Sequence, residues 1–411
     1  MTNLPTIRHS SLVIRNFSNT HTLISFSQYS RQFWLVCFSS LLFFASFNMI
    51  VPELSAYLTS LGGAEYKGLI ISLFTVTAML SRPFSGKLAD RIGRVPVMMM
   101  GSIVCLICSL FYPILTTVSG FLLLRLIHGF STGFTPTGQT ALLSDFIPAQ
   151  RRGEAMGLLG TAGSLGMASG PAIGGLVATA FGLDTMFYLS SACGLLSIII
   201  VLNIRETLKE KHPVNFALLK IHKRDLFEPR VVVPCLIMVL CSYSYGAAFT
   251  VLPDFGDFLG IKNKGVIFTF LTVASLIIRL VGGKASDRYG RKPVLRVSSL
   301  MIAIAMLVIA CADSRWMLLA GVSLYGLGQG ATSPTLLAWA TDLSDQHHKG
   351  RGIASLYIFM ELGIGIGAFA SGFIYGNNTG NFFTTFIICC VLAMLAFLYL
   401  IILKRKSQAT P

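Results

Sequence analysis

Charged residues are scarce in this chain of 411 residues: they make up 12% of it, against 54% hydrophobic residues. A soluble domain of this size carries about twice that share of charge, so the composition excludes an ordinary soluble protein. The apolar residues are gathered into long runs, and about 20 of them in succession suffice to cross a bilayer. We therefore predict an all-α polytopic membrane protein with twelve spans. The predicted spans are 33–59, 66–86, 95–116, 119–144, 153–180, 185–204, 231–259, 265–283, 294–312, 316–341, 351–375 and 382–403.

Acidic residues are the scarcer kind of charge, with 17 aspartates and glutamates against 32 lysines and arginines. The basic residues crowd alternate loops, and the positive-inside rule places those loops and both chain termini in the cytoplasm. A net charge of +15 that is spread over membrane loops does not predict a nucleic-acid partner. The predicted organisation is a cytoplasmic N-terminal tail 1–31, a six-helix half 32–204, a cytoplasmic linker 205–230, a second half 231–404 and a cytoplasmic tail 405–411.

Motifs of enzymes and metal sites are missing: the sequence shows no nucleophile–base pair, no phosphate-binding loop and no cluster of metal ligands. Cys105 and Cys108 have the spacing of a redox or metal pair, but they lie in a predicted span without polar neighbours, which indicates packing. Residues 1–31 lack the apolar core of a secretory signal, which leaves a cytoplasmic tail or an organellar transit peptide. We expect no enzymatic activity, no cofactor and no metal site.

Internal repetition is the strongest pattern that the sequence contains. Residues Gly86–Val95 return as Gly283–Lys292, at an offset of 197 residues (283 − 86). A repeat of about half the chain predicts two parallel halves, as in one large class of transporters. We therefore predict two pseudo-symmetric six-helix halves. The same offset carries Arg82 to Arg279, Gly129 to Gly326, Gly133 to Gly330, Asp145 to Asp342 and Gly153 to Gly350.

The fifth predicted span carries a stripe of glycines. Because these glycines recur every three or four residues, they share one helix face. Such a face lets another helix approach closely in lipid, and Pro171 bends the helix by removing a backbone donor. We predict tight packing of this helix and the ability to rock against its partner. The stripe consists of Gly163, Gly166, Gly170 and Gly174.

These motifs resemble the signatures of the major facilitator superfamily, over nearly all of residues 32–404. Each loop copy has a glycine followed four residues later by Asp-Arg-x-Gly-Arg, which is similar to the family's loop signature. Arg125, four residues before Gly129, resembles the fourth-helix signature, with His128 where glutamine is common. The fifth span resembles in full the fifth-helix signature of exporter branches. The loop and fifth-helix residues are Gly86, Asp90, Arg91, Gly93 and Arg94; Gly283, Asp287, Arg288, Gly290 and Arg291; and Gly157, Gly166, Gly170, Pro171, Gly174 and Gly175.

The resemblance implies a gating role for the loop motif. Asp90 is expected to pair with Arg94, one helical turn on, and with the positive N-terminal end of the eleventh helix near Gly350. Asp145 is expected to join this cluster. Latches of this kind favour the outward-open state; the alternative is that the basic loops only set the topology. By symmetry, the second latch, near Gly153 of the fifth helix, consists of Asp287, Arg291 and Asp342.

Two ionisable residues lie deep in predicted spans, where they are costly. Arg125 lies about 9 Å into the fourth span, where it tunes a proton site, holds an anionic substrate group or extends to the outer headgroups. Glu361 lies about 15 Å into the eleventh span. An acid in an apolar site suits reversible protonation; its alternative role is a buried neutral acid. His128 is a third candidate for proton coupling, or a simple hydrogen-bonding group.

The resemblance also implies that the first, fourth, seventh and tenth helices surround the substrate path. Asn48 stands where some exporters of the family carry an acid, which puts the proton carrier elsewhere or changes the coupling. Polar and aromatic groups at middle depth suit an amphiphilic organic solute better than a metal ion. The expected cavity residues are Asn48, His128, Tyr243, Tyr245, Tyr325 and Gln329.

The predicted function is export of a small organic solute or drug by proton antiport, through alternating access of the two halves. The expected setting is a bacterial inner membrane, and the expected partners of the monomer are its solute, protons and lipid. The alternatives are a proton-coupled importer or facilitator of sugars or metabolites, and a transporter-like membrane sensor. A lipid-linked flippase is disfavoured because Arg125 is the only cation expected to lie deep.

Overall fold

A computed structural model describes residues 29–148, 152–208, 227–344 and 349–408. Most of the predicted tail 1–31 and of the predicted linker 205–230 lies outside the described residues, as does the end of the predicted tail 405–411. Twelve helices of 18 to 30 residues follow one another in the described chain. They are α1 (Arg31–Ile50, extended by a short helix over Leu54–Ser60), α2 (Lys67–Arg91), α3 (Arg94–Phe111), α4 (Val118–Phe146), α5 (Arg152–Phe181), α6 (Leu183–Leu202), α7 (Val232–Phe258), α8 (Gly265–Tyr289), α9 (Arg291–Ala310), α10 (Arg315–Leu343), α11 (Lys349–Tyr375) and α12 (Phe382–Gln408).

Capping side chains and glycines determine where several of the helices begin and end. Ser30, Thr117 and Ser314 cap α1, α4 and α10, because each side chain accepts a hydrogen bond from the backbone N–H three residues on. Gly93 and Gly290 separate α2 from α3 and α8 from α9, with φ angles of 124° and 88°. Glycine adopts such angles at low cost, which explains why both copies of the loop motif carry glycine there.

Apolar length makes this a multi-pass integral membrane protein. In the described residues, nine helical stretches are long and apolar enough to cross a membrane. The remaining long helices, α4, α8 and α10, carry Arg125, Arg279 and Gln329 within their sequences. Large apolar side chains such as Leu176 and Leu202 stay exposed, as expected for surfaces that lipid covers. The prediction of an all-α polytopic membrane protein is confirmed.

The sequence repeat reappears in the packing of the helices. Helix α2 packs on α4 in the first half, and α8 packs on α10 in the second half. A β-carbon at Gly129 would clash with the Phe74 carbonyl oxygen, and one at Gly326 would clash with the Leu271 carbonyl oxygen. Phe74 and Leu271 are themselves 197 residues apart (271 − 74). One close contact therefore occurs twice, which confirms the two six-helix halves.

The glycine stripe of α5 lies against α1. Because these residues have no β-carbon, the two backbones approach more closely than other side chains would permit. Gly157 differs, since a β-carbon there would meet nothing within 4 Å, and Gly175 lies against Asn263 of the other half. The positions where a β-carbon would clash with the neighbouring backbone are Gly166, Gly170 and Gly174 on α5 and, where α11 packs on α7, Gly363 and Gly367.

The two halves meet along two interfaces that the repeat relates to each other, α2 with α11 and α5 with α8. We distinguish the two ends of the helix bundle by their charge. The basic end carries the loops 86–95 and 283–292, and the opposite end carries the starts of α2 and α8. Each interface pairs antiparallel helices, so each runs from one end of the bundle to the other.

The halves are in close contact at the opposite end. A β-carbon at Gly68, near the start of α2, would clash with the backbone of α11. A β-carbon at Gly265, the first residue of α8, would clash with the carbonyl group of Pro171 on α5. By contrast, β-carbons at Gly86 and Gly160, nearer the basic end, would meet nothing within 4 Å.

Candidate transport site between the two halves

An ion pair joins the halves at the opposite end. The Lys67 ammonium group, at the start of α2, pairs with the Asp254 carboxylate of α7. The Ser55 hydroxyl donates to the same carboxylate at 3.2 Å, and the ammonium group lies 5.7 Å from the centre of the Tyr375 ring. Both side chains of the pair are about one-tenth exposed. Partial burial reduces screening by water and salt, so this pair stabilises the closed opposite end.

A second lysine, near the start of the second half's α8, contacts an acid of the first half. Lys264, just before α8, lies 2.9 Å from Asp257 and 3.8 Å from Glu53, which follows α1 in the other half. Lys67 and Lys264 are 197 residues apart (264 − 67), so they are equivalent positions of the repeat. From the sequence alone they are only loop lysines, and the shared offset is the signal that could have singled them out. Together they close the opposite end from both sides.

Weakening this closure is expected to open the opposite end. Asp254→Asn removes one ion pair, and a loss of about 1 kcal/mol shifts a two-state equilibrium about fivefold. We expect a membrane-impermeant maleimide, added on that side, to react faster with a cysteine introduced by Thr75→Cys in a background whose nine native cysteines are replaced by serine or alanine. Thr75 suits this purpose because it is buried against Gly365 of α11. The charge exchange Lys67→Asp with Asp254→Lys is the control, and unchanged labelling in Asp254→Asn would contradict the closing role.

The ion pairs of the basic end lie within each half. Arg94 lies 3.4 Å from Asp90 and 2.9 Å from Asp145. The repeat-equivalent Arg291 makes the same two contacts in the second half, with Asp287 at 2.5 Å and Asp342 at 2.9 Å. The Asp90 side chain is 72% exposed. Among the described residues, none of these aspartates forms an ion pair with the other half.

The second part of the predicted latches stays a prediction. Residues 149–151 and 345–348, which precede α5 and α11, lie outside the described residues. Near the basic end, β-carbons at Gly86 and Gly160 would meet nothing within 4 Å, and among the described residues no ion pair of the loop motifs joins the halves. In each half, an arginine pairs with two aspartates. These pairs stabilise the loop motif within its own half and do not join the two halves.

A buried ion pair links the halves near the middle of the bundle. Arg82 Nη2 donates to Glu361 Oε1 at 2.7 Å, which connects α2 to α11. The two side chains are 17% and 7% exposed, and the Arg82 guanidinium lies 4.9 Å from the centre of the Tyr357 ring. Glu361 is therefore not a lone acid in an apolar site. Arg82 lies about 22 Å from the start of α2 at 1.5 Å per residue, well inside the helix.

The second interface has an equivalent arginine but no equivalent acid. Arg279 of α8 donates through Nη1 to the Ser164 hydroxyl of α5 at 3.2 Å. Arg279 is the repeat partner of Arg82, and Ser164 is the repeat partner of Glu361 (361 − 197). The equivalent bond between the halves therefore has a charged acceptor, the Glu361 carboxylate, in one interface and a neutral acceptor, the Ser164 hydroxyl, in the other. The expectation that Arg125 is the only deep cation is wrong, because Arg82 and Arg279 also lie inside their helices.

Arg125 and His128 lie inside the first half, apart from Glu361. The Arg125 side chain is fully buried, donates to the Ile70 carbonyl oxygen at 2.8 Å and lies 3.3 Å from the Tyr112 hydroxyl. It does not extend to the headgroups. His128 contacts the same Tyr112 hydroxyl at 3.2 Å and the Cys105 sulfur at 3.4 Å. Cys105 thus has polar neighbours, contrary to the prediction, because helices distant in sequence surround it.

Of the six predicted cavity residues, His128 is fully buried, and the other five divide into two groups. Tyr245 and Gln329 keep part of their surface exposed. Asn48, Tyr243 and Tyr325 are buried in this structure, with at most 7% of their surface exposed. Asn48 donates to a carbonyl oxygen of its own helix at 2.8 Å. Depth along a helix is readable from sequence, but the direction in which a side chain points depends on how the helix is rotated in the bundle.

Two six-helix halves that are in close contact at one end and bridged by a buried ion pair have the architecture of a transporter built from two repeats. The comparison with known proteins agrees with this class. The Major Facilitator Superfamily matches this sequence over residues 36–276 and 235–411. The chain belongs to this family, as its motifs predict.

Relatives place the chain in the drug-efflux branch. It is 30% identical over 362 residues to the multi-drug resistance efflux pump PmrA of Streptococcus pneumoniae, across 83% of this chain and 88% of that protein. It is 25% identical over 399 residues to the multidrug resistance protein MdtG of Enterobacter lignolyticus, across 92% of each chain. The human organic anion transporter MFSD10 shares the fold, with a TM-score of 0.71 at 19% identity, over 90% of this chain and 100% of that one.

Proposed function

We propose that the protein exports a small organic solute or drug in exchange for protons, by alternating access of its two halves. The names of PmrA and MdtG support drug efflux, and the complete glycine signature of α5 supports the exporter branch. The observation that carries the proton coupling is the bond between Arg82 and Glu361. It joins two elements that move apart in alternating access, and one of its members can bind a proton.

The physical reason lies in the charge of Glu361. The ionised carboxylate attracts Arg82 strongly in a site with little water, which favours contact of α2 with α11. A proton on Glu361 removes this attraction, and the relative energy of the two conformations changes. One proton that crosses 100 mV releases about 2.3 kcal/mol, which is enough for roughly fifty-fold accumulation of a solute.

The positive-inside rule gives the direction of this exchange. It places the basic end and both termini in the cytoplasm, and we assign the protein to the inner membrane of a bacterium. The structure then corresponds to a state that accepts solute from the cytoplasm. Opening of the opposite end breaks the contacts of Lys67 and Lys264 and releases the solute. A single chain contains both halves, so a monomer suffices.

Within this proposal, Glu361 carries the proton, and Arg125 and His128 have supporting roles. Arg125 holds α2 to α4 through the Ile70 carbonyl oxygen and lies 4.7 Å from the centre of the Phe74 ring. His128 lies beside it and shares contact with the Tyr112 hydroxyl. Both residues influence the coupling through the position of α2, which also carries Arg82.

Asp90→Asn tests the loop latch of the basic end. Exposed pairs contribute about 0.2–1 kcal/mol, so we expect the amount of folded protein in the membrane to stay unchanged. Transport is expected to fall, because the outward-open state loses a contact at its closed basic end. The measurements are fluorescence-detected size exclusion for folding and solute flux for activity. Wild-type flux in Asp90→Asn would leave only a topological role for the motif, and Asp287→Asn is the matched variant in the second half.

Inside-out membrane vesicles with a preset, inside-acid proton gradient test the proposed function. A panel of drugs, sugars and organic acids is added, and collapse of the gradient is recorded with a pH-sensitive dye. We expect at least one amphiphilic compound to collapse the gradient only in vesicles that contain the protein. Downhill solute flux without proton movement, while a known antiporter responds, would replace antiport by facilitated diffusion.

A further inference from the structure

The two central arginines differ in their counter-charge. Arg82 is neutralised by Glu361, whereas Arg279 contacts a hydroxyl group at the equivalent place. In the described part of the chain, Arg279 forms no ion pair with an acid. The three charged groups at the middle of the two interfaces therefore leave one uncompensated positive charge. An uncompensated cation deep in a membrane protein is costly and indicates a functional site.

Arg279 lies deep along its helix and keeps exposed surface. It is about 21 Å from the start of α8 at 1.5 Å per residue, and it donates to the Ser164 hydroxyl of α5. Its side chain is nevertheless exposed. The guanidinium group therefore lies at the junction of the two halves and keeps surface that a ligand can contact.

Aromatic residues stand beside this charge. The Tyr245 hydroxyl interacts electrostatically with both Arg279 and Glu361, which places it between the two interfaces. The Tyr245 ring stacks on Phe249 at 4.4 Å, and Phe249 lies 4.6 Å from Phe268. Tyr245 and Phe249 are partly exposed, and Phe268 supports them from a buried position. A solute with an anionic group and an apolar body matches both features.

We propose that Arg279 binds the anionic group of the solute, and that the substrates are amphiphilic organic anions such as aromatic carboxylates. This inference rests on the proposed function, since it takes the solute to occupy the cavity between the halves. The guanidinium group offers planar, bidentate hydrogen bonds to a carboxylate. Position 164 carries a serine where the equivalent position of the other half carries Glu361. Because no acid neutralises it there, Arg279 is available for a ligand.

Calorimetry on the purified protein in phosphatidylcholine nanodiscs tests the site without any proton gradient. The probes are naphthalene-1-acetate and its neutral amide, which share one aromatic body and differ in charge. We expect the wild type to bind the acid about tenfold to a hundredfold more tightly than the amide, as charge-assisted hydrogen bonds imply. Arg279→Gln is expected to bind both probes equally.

Ser164→Glu is the sharper variant, because it leaves Arg279 in place. A carboxylate at position 164 stands where the repeat has Glu361, so it neutralises Arg279 and is expected to abolish the preference for the acid. Ser164→Ala is the matched control and is expected to keep that preference. Equal binding of acid and amide by the wild type, binding of neither, or a preference that survives Ser164→Glu would overturn the proposal.

Anionic lipid is the other source of a negative group, and the same assay separates it from a free solute. We expect phosphatidylglycerol in the nanodisc to leave the affinity for naphthalene-1-acetate unchanged. A loss of acid binding in phosphatidylglycerol would assign Arg279 to a lipid headgroup and overturn the solute site. Neither result depends on proton coupling, so failure here leaves the vesicle test of antiport standing for neutral or cationic solutes.

Discussion

Glu361→Gln is expected to abolish solute-driven proton movement while downhill movement of solute continues. Glutamine keeps the shape of glutamate and an oxygen that accepts from Arg82, but it cannot bind or release a proton at any physiological pH. The halves can still move, yet their motion no longer depends on the proton gradient. In inside-out vesicles, gradient collapse by an active compound should fall to the background of vesicles without transporter.

The folded state of this variant needs its own control. Removal of one partner from a buried ion pair costs about 3–5 kcal/mol when the remaining charge stays uncompensated, and Arg82 is 17% exposed. Glu361→Gln can therefore lower the yield of folded protein. The double variant Arg82→Gln, Glu361→Gln removes both charges, and we expect it to restore the yield but not the coupling. Full proton movement in folded Glu361→Gln would make Glu361 a structural residue.

Gly166→Leu is expected to prevent the first half from folding. A β-carbon at this position would clash with the Leu41 carbonyl oxygen of α1, and no side-chain rotation can relieve a clash with backbone. Overpacking of a core typically costs about 1–3 kcal/mol, and here two helices must separate over several turns. The expected result is loss of the monodisperse peak in size exclusion.

Gly157→Leu is the matched control on the same helix. A β-carbon at Gly157 would meet nothing within 4 Å, and leucine favours the helix over glycine by about 1 kcal/mol at an interior position. We expect folding and thermal stability to be preserved or slightly improved. Equal loss of folded protein in both variants would mean that α5 tolerates no leucine at all, and that contact with α1 is not the cause.

The sequence predicted the architecture of this protein well. Lengths of apolar runs are properties of local sequence, and they predicted twelve spans that match twelve helices closely. The offset of 197 residues predicted the two halves, and the same offset relates the contacts of Gly129 and Gly326. The arginine of each loop motif lies between two aspartates, so the pairing of Arg94 with Asp90 and Asp145 follows the expectation.

The candidate site was only partly readable from the sequence. Glu361 is identifiable as an acid within a span, but its partner Arg82 is 279 positions away and lies close to the loop motif. Lys67 and Asp254 are 187 positions apart, and each is an ordinary charged residue near a predicted loop. No local sequence pattern predicts these ion pairs, because they form between helices that meet only after both halves have assembled.

By itself, the sequence determined the membrane class, the helices, the repeat and the family, because hydrophobic length, spacing and motif are properties of consecutive residues. The tertiary structure alone decided which charges meet. The antiparallel packing of α2 on α11 gives Arg82 an acid, and the equivalent packing of α8 on α5 gives Arg279 a hydroxyl. Helix packing therefore decides that positions 361 and 164 face these two arginines, whereas the residue found there, glutamate or serine, decides whether the arginine has a counter-charge.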